Sequence, residues 1–124
     1  MIEYQDKTDE AFLCTEAVAK VLDKSIVDEF GQPLFPLSYI HRLFEHTMNA
    51  SYHVRKMNPM HTRLLTVPGY TKRPAWFVTK DGLCEMAMQT YDKSMGRWLV
   101  RLAIVPTDKI AMRCAYRYDR VNAA

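Results

Sequence analysis

Apolar and polar positions along this chain repeat with two periods, near 3.6 and near 2, and the changes between them divide it into elements. After a polar opening, MIEYQDKTDE, the run Ala11–Cys14 reads as a short strand or a helix start. Thr15 then offers an N-cap for a helix over Glu16–Leu22, whose Ala17, Val18, Val21 and Leu22 form one stripe. Gly31, Pro33 and Pro36 interrupt helical reading, so Ile26–Phe35 is predicted as loop or turn. Ser38 is placed to cap a second helix, roughly Tyr39–Met48. Ile40, Leu43, Phe44 and Met48 share its inner face; Tyr39, His41, Arg42, Glu45 and His46 share the outer one. Asn49–Met60 reads as either more helix or a short strand, with a turn at Asn58-Pro59.

Two β-rich runs follow, Thr62–Val67 and Ala75–Thr79, around a turn-rich basic segment, Pro68–Pro74. Pro68-Gly69 suits a tight reversal, because proline fixes φ and glycine tolerates positive φ. Lys72 and Arg73 lie near the tip, beside Tyr70. This is the pattern of a β-hairpin with an exposed basic tip, shaped like the wing of a winged-helix domain; a plain surface hairpin with solubilising charges has the same pattern. Beyond it, Asp81 is placed to cap a helix Gly82–Thr90 with Leu83, Met86 and Ala87 inward. Ser94 is placed to cap another, Met95–Val105, which Pro106 ends. Lys109–Arg120 alternates, with Ile110, Met112, Cys114, Tyr116 and Tyr118 on one parity, and reads as a strand; its basic residues at i, i+4 and i+8 also fit a helix. The sum is a small α+β domain with a basic hairpin and three to four helices.

Composition changes this picture little. With 124 residues, 48% apolar and 25% charged, one globular domain over residues 1–124 is expected, with no apolar run long enough to span a bilayer. The opening decapeptide has no apolar signal core, so a cytoplasmic protein is expected. Charge changes it more. Residues 1–31 hold eight acids against three lysines, a net of −5, while residues 32–124 carry a net of +8. A basic body attracts polyanions. The bland alternative is that the two regions pack together and neutralise each other.

Catalytic chemistry finds no foothold. His41, His46, His53 and His61 are spaced by five, seven and eight residues, unlike a zinc site, so no metal and no cofactor is expected. Cys14, Cys84 and Cys114 sit in apolar patterns and read as core thiols. No GxSxG, Walker A or GxGxxG element occurs, and no carboxylate pair stands out, so no enzyme is expected. Recognition remains. A helix entering the major groove needs polar and basic groups on its outer side, and Ser38, Tyr39 and Arg42 supply them. Arg55, Lys56, Arg63, Lys72 and Arg73 would neutralise phosphates; each is also an ordinary solvated side chain when read singly.

The segments FLCTEAVAKVL, SYIHRLFEH, RPAWFVTKDGLCEMAM and YDKSMGRWLVRLA, within residues 12–103, resemble phage regulatory proteins of the Rha type and, more loosely, phage antirepressor amino-terminal domains. Trp76-Phe77-Val78-Thr79-Lys80-Asp81-Gly82 carries the likeness best. The resemblance implies a winged-helix-like DNA-binding domain in a phage or prophage regulator. It places contacts on Ser38, Tyr39, Arg42, Lys72 and Arg73. The expectation is therefore a non-enzymatic regulator that binds duplex DNA through a helix near 38–48 and the hairpin near 62–79. It would act as a homodimer, with Ile110, Met112, Tyr116 and Tyr118 as one candidate dimer face and the core of the monomer as the other reading of that face. Two alternatives stand beside it. One is a small phage-type inhibitor of a host polymerase, nuclease or defence complex, to which eight methionines would lend an adaptable surface. The other is an RNA-binding module that stacks bases on Tyr52, Tyr70 and Trp76.

Overall fold

A computed structural model of the chain describes residues 2–45, 50–67 and 71–117. The helices are α1 (Ile2–Leu13), α2 (Glu16–Leu22), α3 (Leu37–Leu43), α4 (Ala50–Val54), α5 (Lys80–Gln89), α6 (Lys93–Ala103) and α7 (Thr107–Ala111). The strands are β1 (Ile26–Val27), β2 (Pro33–Pro36), β3 (Thr62–Leu65), β4 (Ala75–Val78) and β5 (Tyr116–Arg117). The strands form one five-stranded sheet in the order β3-β4-β2-β1-β5, antiparallel except for β1 with β5, which with the helices makes a mixed α+β domain.

Successive strand residues point to opposite faces, and here both faces are apolar. Phe35 and Val78, paired across β2 and β4, turn toward the helices and join Val18, Leu37, Leu83 and Leu99 in the main core. Leu34 and Phe77 turn the other way and pack with Ile26 and Val67 in a second cluster. Among the described residues no helix is long and apolar enough to cross a membrane.

The hairpin predicted around residue 70 is present. Its strands pair in register, Thr62 opposite Val78 and Leu65 opposite Ala75, and stop short of the predicted ends. Buried Val67 closes the inner loop, its N–H donating to Thr71 Oγ1 at 2.8 Å and its carbonyl accepting from Thr71 N at 2.8 Å. The predicted Pro68-Gly69 reversal and Tyr70 lie outside the described residues.

Several boundaries move for physical reasons. Ile26–Phe35 is a second hairpin, not a loop. Asp28 Oδ1 accepts from Phe30 N and Gln32 N, each at 2.8 Å, and Gly31 takes φ +82°, a conformation open to glycine. Pro33 and Pro36 are tolerated because they begin and end β2. α1 replaces the uncertain start before Cys14, and short α4 settles 50–54 as helix. α3 begins at Leu37 on N-cap Pro36, so Ser38 does not cap it, and it ends at Leu43 before Glu45 at φ 57°. The predicted continuation through His46 and Met48 lies outside the described residues.

Caps shift back by two residues. Thr79 Oγ1, not Asp81, accepts from Gly82 N at 3.0 Å, and Asp92, not Ser94, accepts from Met95 N at 3.0 Å. Thr15 holds its N-cap position, but its hydroxyl donates to Phe12 O instead. Gly82 lets α5 approach the turn at Pro59–His61, since a Cβ there would come 2.9 Å from His61 O.

The alternating tail is not one strand. Residues 107–111 are helical, Ile110 is buried and Met112 is 81% exposed, so the proposed dimer face is split; Tyr118 lies outside the described residues. Nor are all cysteines core: Cys14 and Cys84 are exposed, while burial pushes the Cys114 thiol up to about 12. Both exposed cysteines sit on outward faces of helices or turns that their apolar neighbours anchor. At pH 8, iodoacetamide should therefore add two groups quickly, and the third only after unfolding, as read by intact mass. A raised thiol value favours the neutral form in the folded state. Cys114 thus supports folding below the ordinary thiol range, and that support is lost as pH climbs through it toward 12. Three fast additions at pH 8 would contradict this.

Candidate nucleic-acid interface

α3 turns Leu37, Ile40 and His41 into the core and leaves Ser38 and Arg42 exposed, with Tyr39 half-buried. The Arg42 guanidinium lies 5.5 Å from the Tyr39 ring centroid. α4 turns His53 inward and leaves Ser51 and Tyr52 exposed; Lys56 Nζ sits 4.5 Å over the Tyr52 ring, and Arg55 is exposed beside it. In both places an aromatic ring one helical turn away holds a cation at the surface without neutralising it.

The two helices are joined through their buried sides by a pair of histidines. His41, expected on the outer face, is buried, and its Nε2 lies 2.8 Å from His53 Nδ1. His53 Nε2 lies 3.3 Å from Gln89 Oε1, and Gln89 Nε2 donates to Lys56 O at 3.0 Å. That last bond fixes the Gln89 amide, so its oxygen must accept from His53 Nε2. His53 Nδ1 is then the acceptor and His41 Nε2 the donor. Gln89 also meets Glu85, which accepts from Asn58 N at 3.0 Å and from His61 Nδ1 at 2.8 Å. A polar chain thus runs from α3 through α4 to α5 and back to the turn before β3. Its buried end, the His41–His53 contact, fixes the placement of α3 against α4. No sequence signal marks it, because its members are 12, 36 and 24 residues apart and belong to four elements. Among the described residues no group of three histidines, cysteines or carboxylates is arranged to hold a metal.

The hairpin carries Lys72 and Arg73, both exposed, in the loop between β3 and β4. Arg63 stands apart. It pairs opposite Phe77, on the sheet face away from α3 and α4, and its Nη1 donates to Met60 O at 3.2 Å and Thr62 O at 2.9 Å. It lines a separate cleft of about 450 Å³ with Asp28, Asp81 and Lys80. Burial lowers the Lys80 pKa, and its ammonium donates to Val105 O and, at 3.3 Å, to Thr107 Oγ1. Of the aromatic residues weighed for base stacking, Tyr52 is exposed under Lys56, while Trp76 packs against the main core.

The acidic amino-terminal part pairs elsewhere. Asp9 holds Arg101 at 2.9 Å and Lys109 at 3.7 Å, Glu10 holds Arg113, and Glu16 holds Lys20 at 2.7 Å. Among the described residues Arg42, Arg55, Lys56, Lys72 and Arg73 form no ion pair. Neutralisation between the two halves therefore falls on α6, α7 and the segment after them, and spares α3, α4 and the hairpin loop. Compared with protein-family models, with curated proteins and with solved structures, the chain matches none of them.

Proposed function

We propose that this domain binds duplex DNA as a winged-helix-like module of a non-enzymatic, phage-type regulator in the cytoplasm. One observation carries the reading: the cations of α3, the end of α4 and the β3–β4 loop form no ion pair among the described residues, while Asp9 and Glu10 of the acidic start pair with Arg101, Lys109 and Arg113 instead. Connectivity supports it. A strand, two short helices and a hairpin follow one another as β2, α3, α4, β3 and β4, and β2 pairs with the second hairpin strand. In such an order a helix pair can lie across the duplex, as helix-turn-helix pairs do, with the hairpin loop beside it.

In this reading α4 and the residues after it meet the groove with Ser51, Tyr52, Arg55 and Lys56. α3 holds the flanking phosphate with Ser38, Tyr39 and Arg42, and Lys72 and Arg73 act as the wing. Arg63 contributes little, because it faces the other side of the sheet. Two copies on two half-sites would add affinity without new contacts.

Fluorescence anisotropy with duplex DNA from 50 to 300 mM salt tests the proposal. With five unpaired cations engaged, log K should fall against log salt with a slope of about −4 to −5. Arg42→Ala and Arg73→Ala should each make that slope shallower by about 1, while Arg63→Ala leaves it unchanged. No binding at 50 mM salt, or a flat slope, would sink the reading.

A further inference from the structure

On the side of the helical layer formed by α5 and α6, a cleft of about 690 Å³ runs between the two helices. Its floor is apolar: Ala87 and Met88 come from α5, Gly96 and Val100 from α6, and Ile104 closes one end. Met88 is 88% exposed and Ile104 62% exposed, so large apolar side chains stand in water here. Gly96 adds no side chain to the floor, and a Cβ there would only touch Thr90 Cγ2 at 3.5 Å and Ala87 O at 3.6 Å, so larger groups fit at this position. The rim is basic. Lys93 and Arg97 lie along it, exposed and without an ion pair among the described residues. Asp92, at the end of the cleft, uses its carboxylate to cap Met95 N. Arg101 is held by Asp9.

From this pairing of an apolar floor with two unneutralised cations, we infer that the α5–α6 cleft docks an acidic amphipathic helix of a partner protein. Length fits: α6 has 11 residues, and three turns of a guest helix span about 16 Å. Apolar side chains at i, i+4 and i+7 of the guest would meet Val100, Met88 and the gap over Gly96, and glutamates flanking that stripe would face Lys93 and Arg97. A second copy of this chain is disfavoured, because two-fold pairing brings the same patch together and sets Lys93 and Arg97 against their own mates. A nucleic acid would satisfy the cations but leave Met88, Val100 and Ile104 against a polar backbone. The inference stands independently of the DNA reading, since it uses none of the same residues.

The probe is a fluorescein-labelled 14-residue helical peptide with leucine at i, i+4 and i+7 and glutamate on both flanks, titrated by anisotropy into the full chain. A second peptide carries lysine in place of every glutamate, and an unlabelled duplex oligonucleotide serves as competitor. The acidic peptide should bind at least about tenfold more tightly than the lysine peptide, as like-charge contact costs more than 1.4 kcal/mol. K93E/R97E should weaken the acidic peptide at least about tenfold and improve the lysine peptide. G96L, which fills the floor, should weaken both. The exposed rim pair keeps the test decisive if G96L fails to fold. The inference is overturned if neither peptide binds, if both bind equally, if K93E/R97E changes nothing, or if duplex DNA displaces the acidic peptide. It is also overturned if sedimentation shows a dimer that V100E dissociates.

Discussion

Asp9→Ala is expected to lower the unfolding free energy by about 3 kcal/mol, the lower end of the range for breaking a buried ion pair. Asp9 is 1% exposed, and its carboxylate meets Arg101 at 2.9 Å and Lys109 at 3.7 Å. Removing it leaves two cations facing a site from which water is largely excluded. Arg101 is about a quarter exposed, so solvent recovers part of the loss. Its guanidinium also keeps its place 4.8 Å over the Phe12 ring. The damage reaches beyond one pair, because this cluster ties α1 to α6 and α7 across some 90 residues of sequence. Arg101→Met in the Asp9→Ala background should restore part of the stability, since an apolar pair replaces a stranded charge. Urea unfolding of the two single variants and the double reads this directly. A cost below about 1 kcal/mol for Asp9→Ala would show that the pair behaves as a surface contact.

Phe35→Ala should cost about 3 to 5 kcal/mol, whereas Phe30→Ala should stay within about 0.5 kcal/mol. The two phenylalanines lie five residues apart on the same hairpin. Phe35 is fully buried in the central strand, pairs with Val78 and packs into the main core. Deleting its ring empties a space bounded by the sheet on one side and helices on the other, where neighbours cannot collapse without moving backbone. Phe30 is 79% exposed in the turn, next to Gly31. Thermal unfolding of both variants separates them. Equal costs would mean that the β1–β2 hairpin is packed differently from the arrangement described.

Much of the fold is written in local pattern. The stripe Val18, Val21 and Leu22 can serve only a helix with a buried side, and α2 has the predicted bounds. Thr62–Leu65 and Ala75–Val78 pair as a hairpin, as two β-rich runs close in sequence predict. Exposure of Ser38, Arg42, Arg55, Lys56, Lys72 and Arg73 was equally legible, since solvating a charge rarely depends on distant neighbours. Readings failed where a local signal has two meanings. Pro33 and Pro36 break helices, yet both fit the ends of a strand. Lys109–Ala111 satisfies period two and period 3.6 alike, and Pro106 with buried Ile110 decides for helix. Cys14 and Cys84 lie among apolar residues in sequence but on the outward side in space.

The candidate site divides in the same way. Sequence identified which cations exist; only the fold determined which are free. Charge alone groups Arg63 with Arg55, Lys56, Lys72 and Arg73, but strand parity turns it to the face of the sheet away from α3 and α4. Helical phase puts His41 outside, whereas its contact with His53 holds it inside.

By itself, then, the sequence determined the local elements that short-range sterics and hydrophobic period dictate, and the presence of a basic body behind an acidic start. Tertiary structure alone decided that Asp9 and Glu10 reach Arg101, Lys109 and Arg113 rather than the hairpin, that two histidines lock α3 to α4, and that an apolar cleft with a basic rim stays open between α5 and α6. The reason is physical: backbone preference acts over a few residues, whereas partner choice among charges and cavities is set by distances that exist only once the chain has closed on itself.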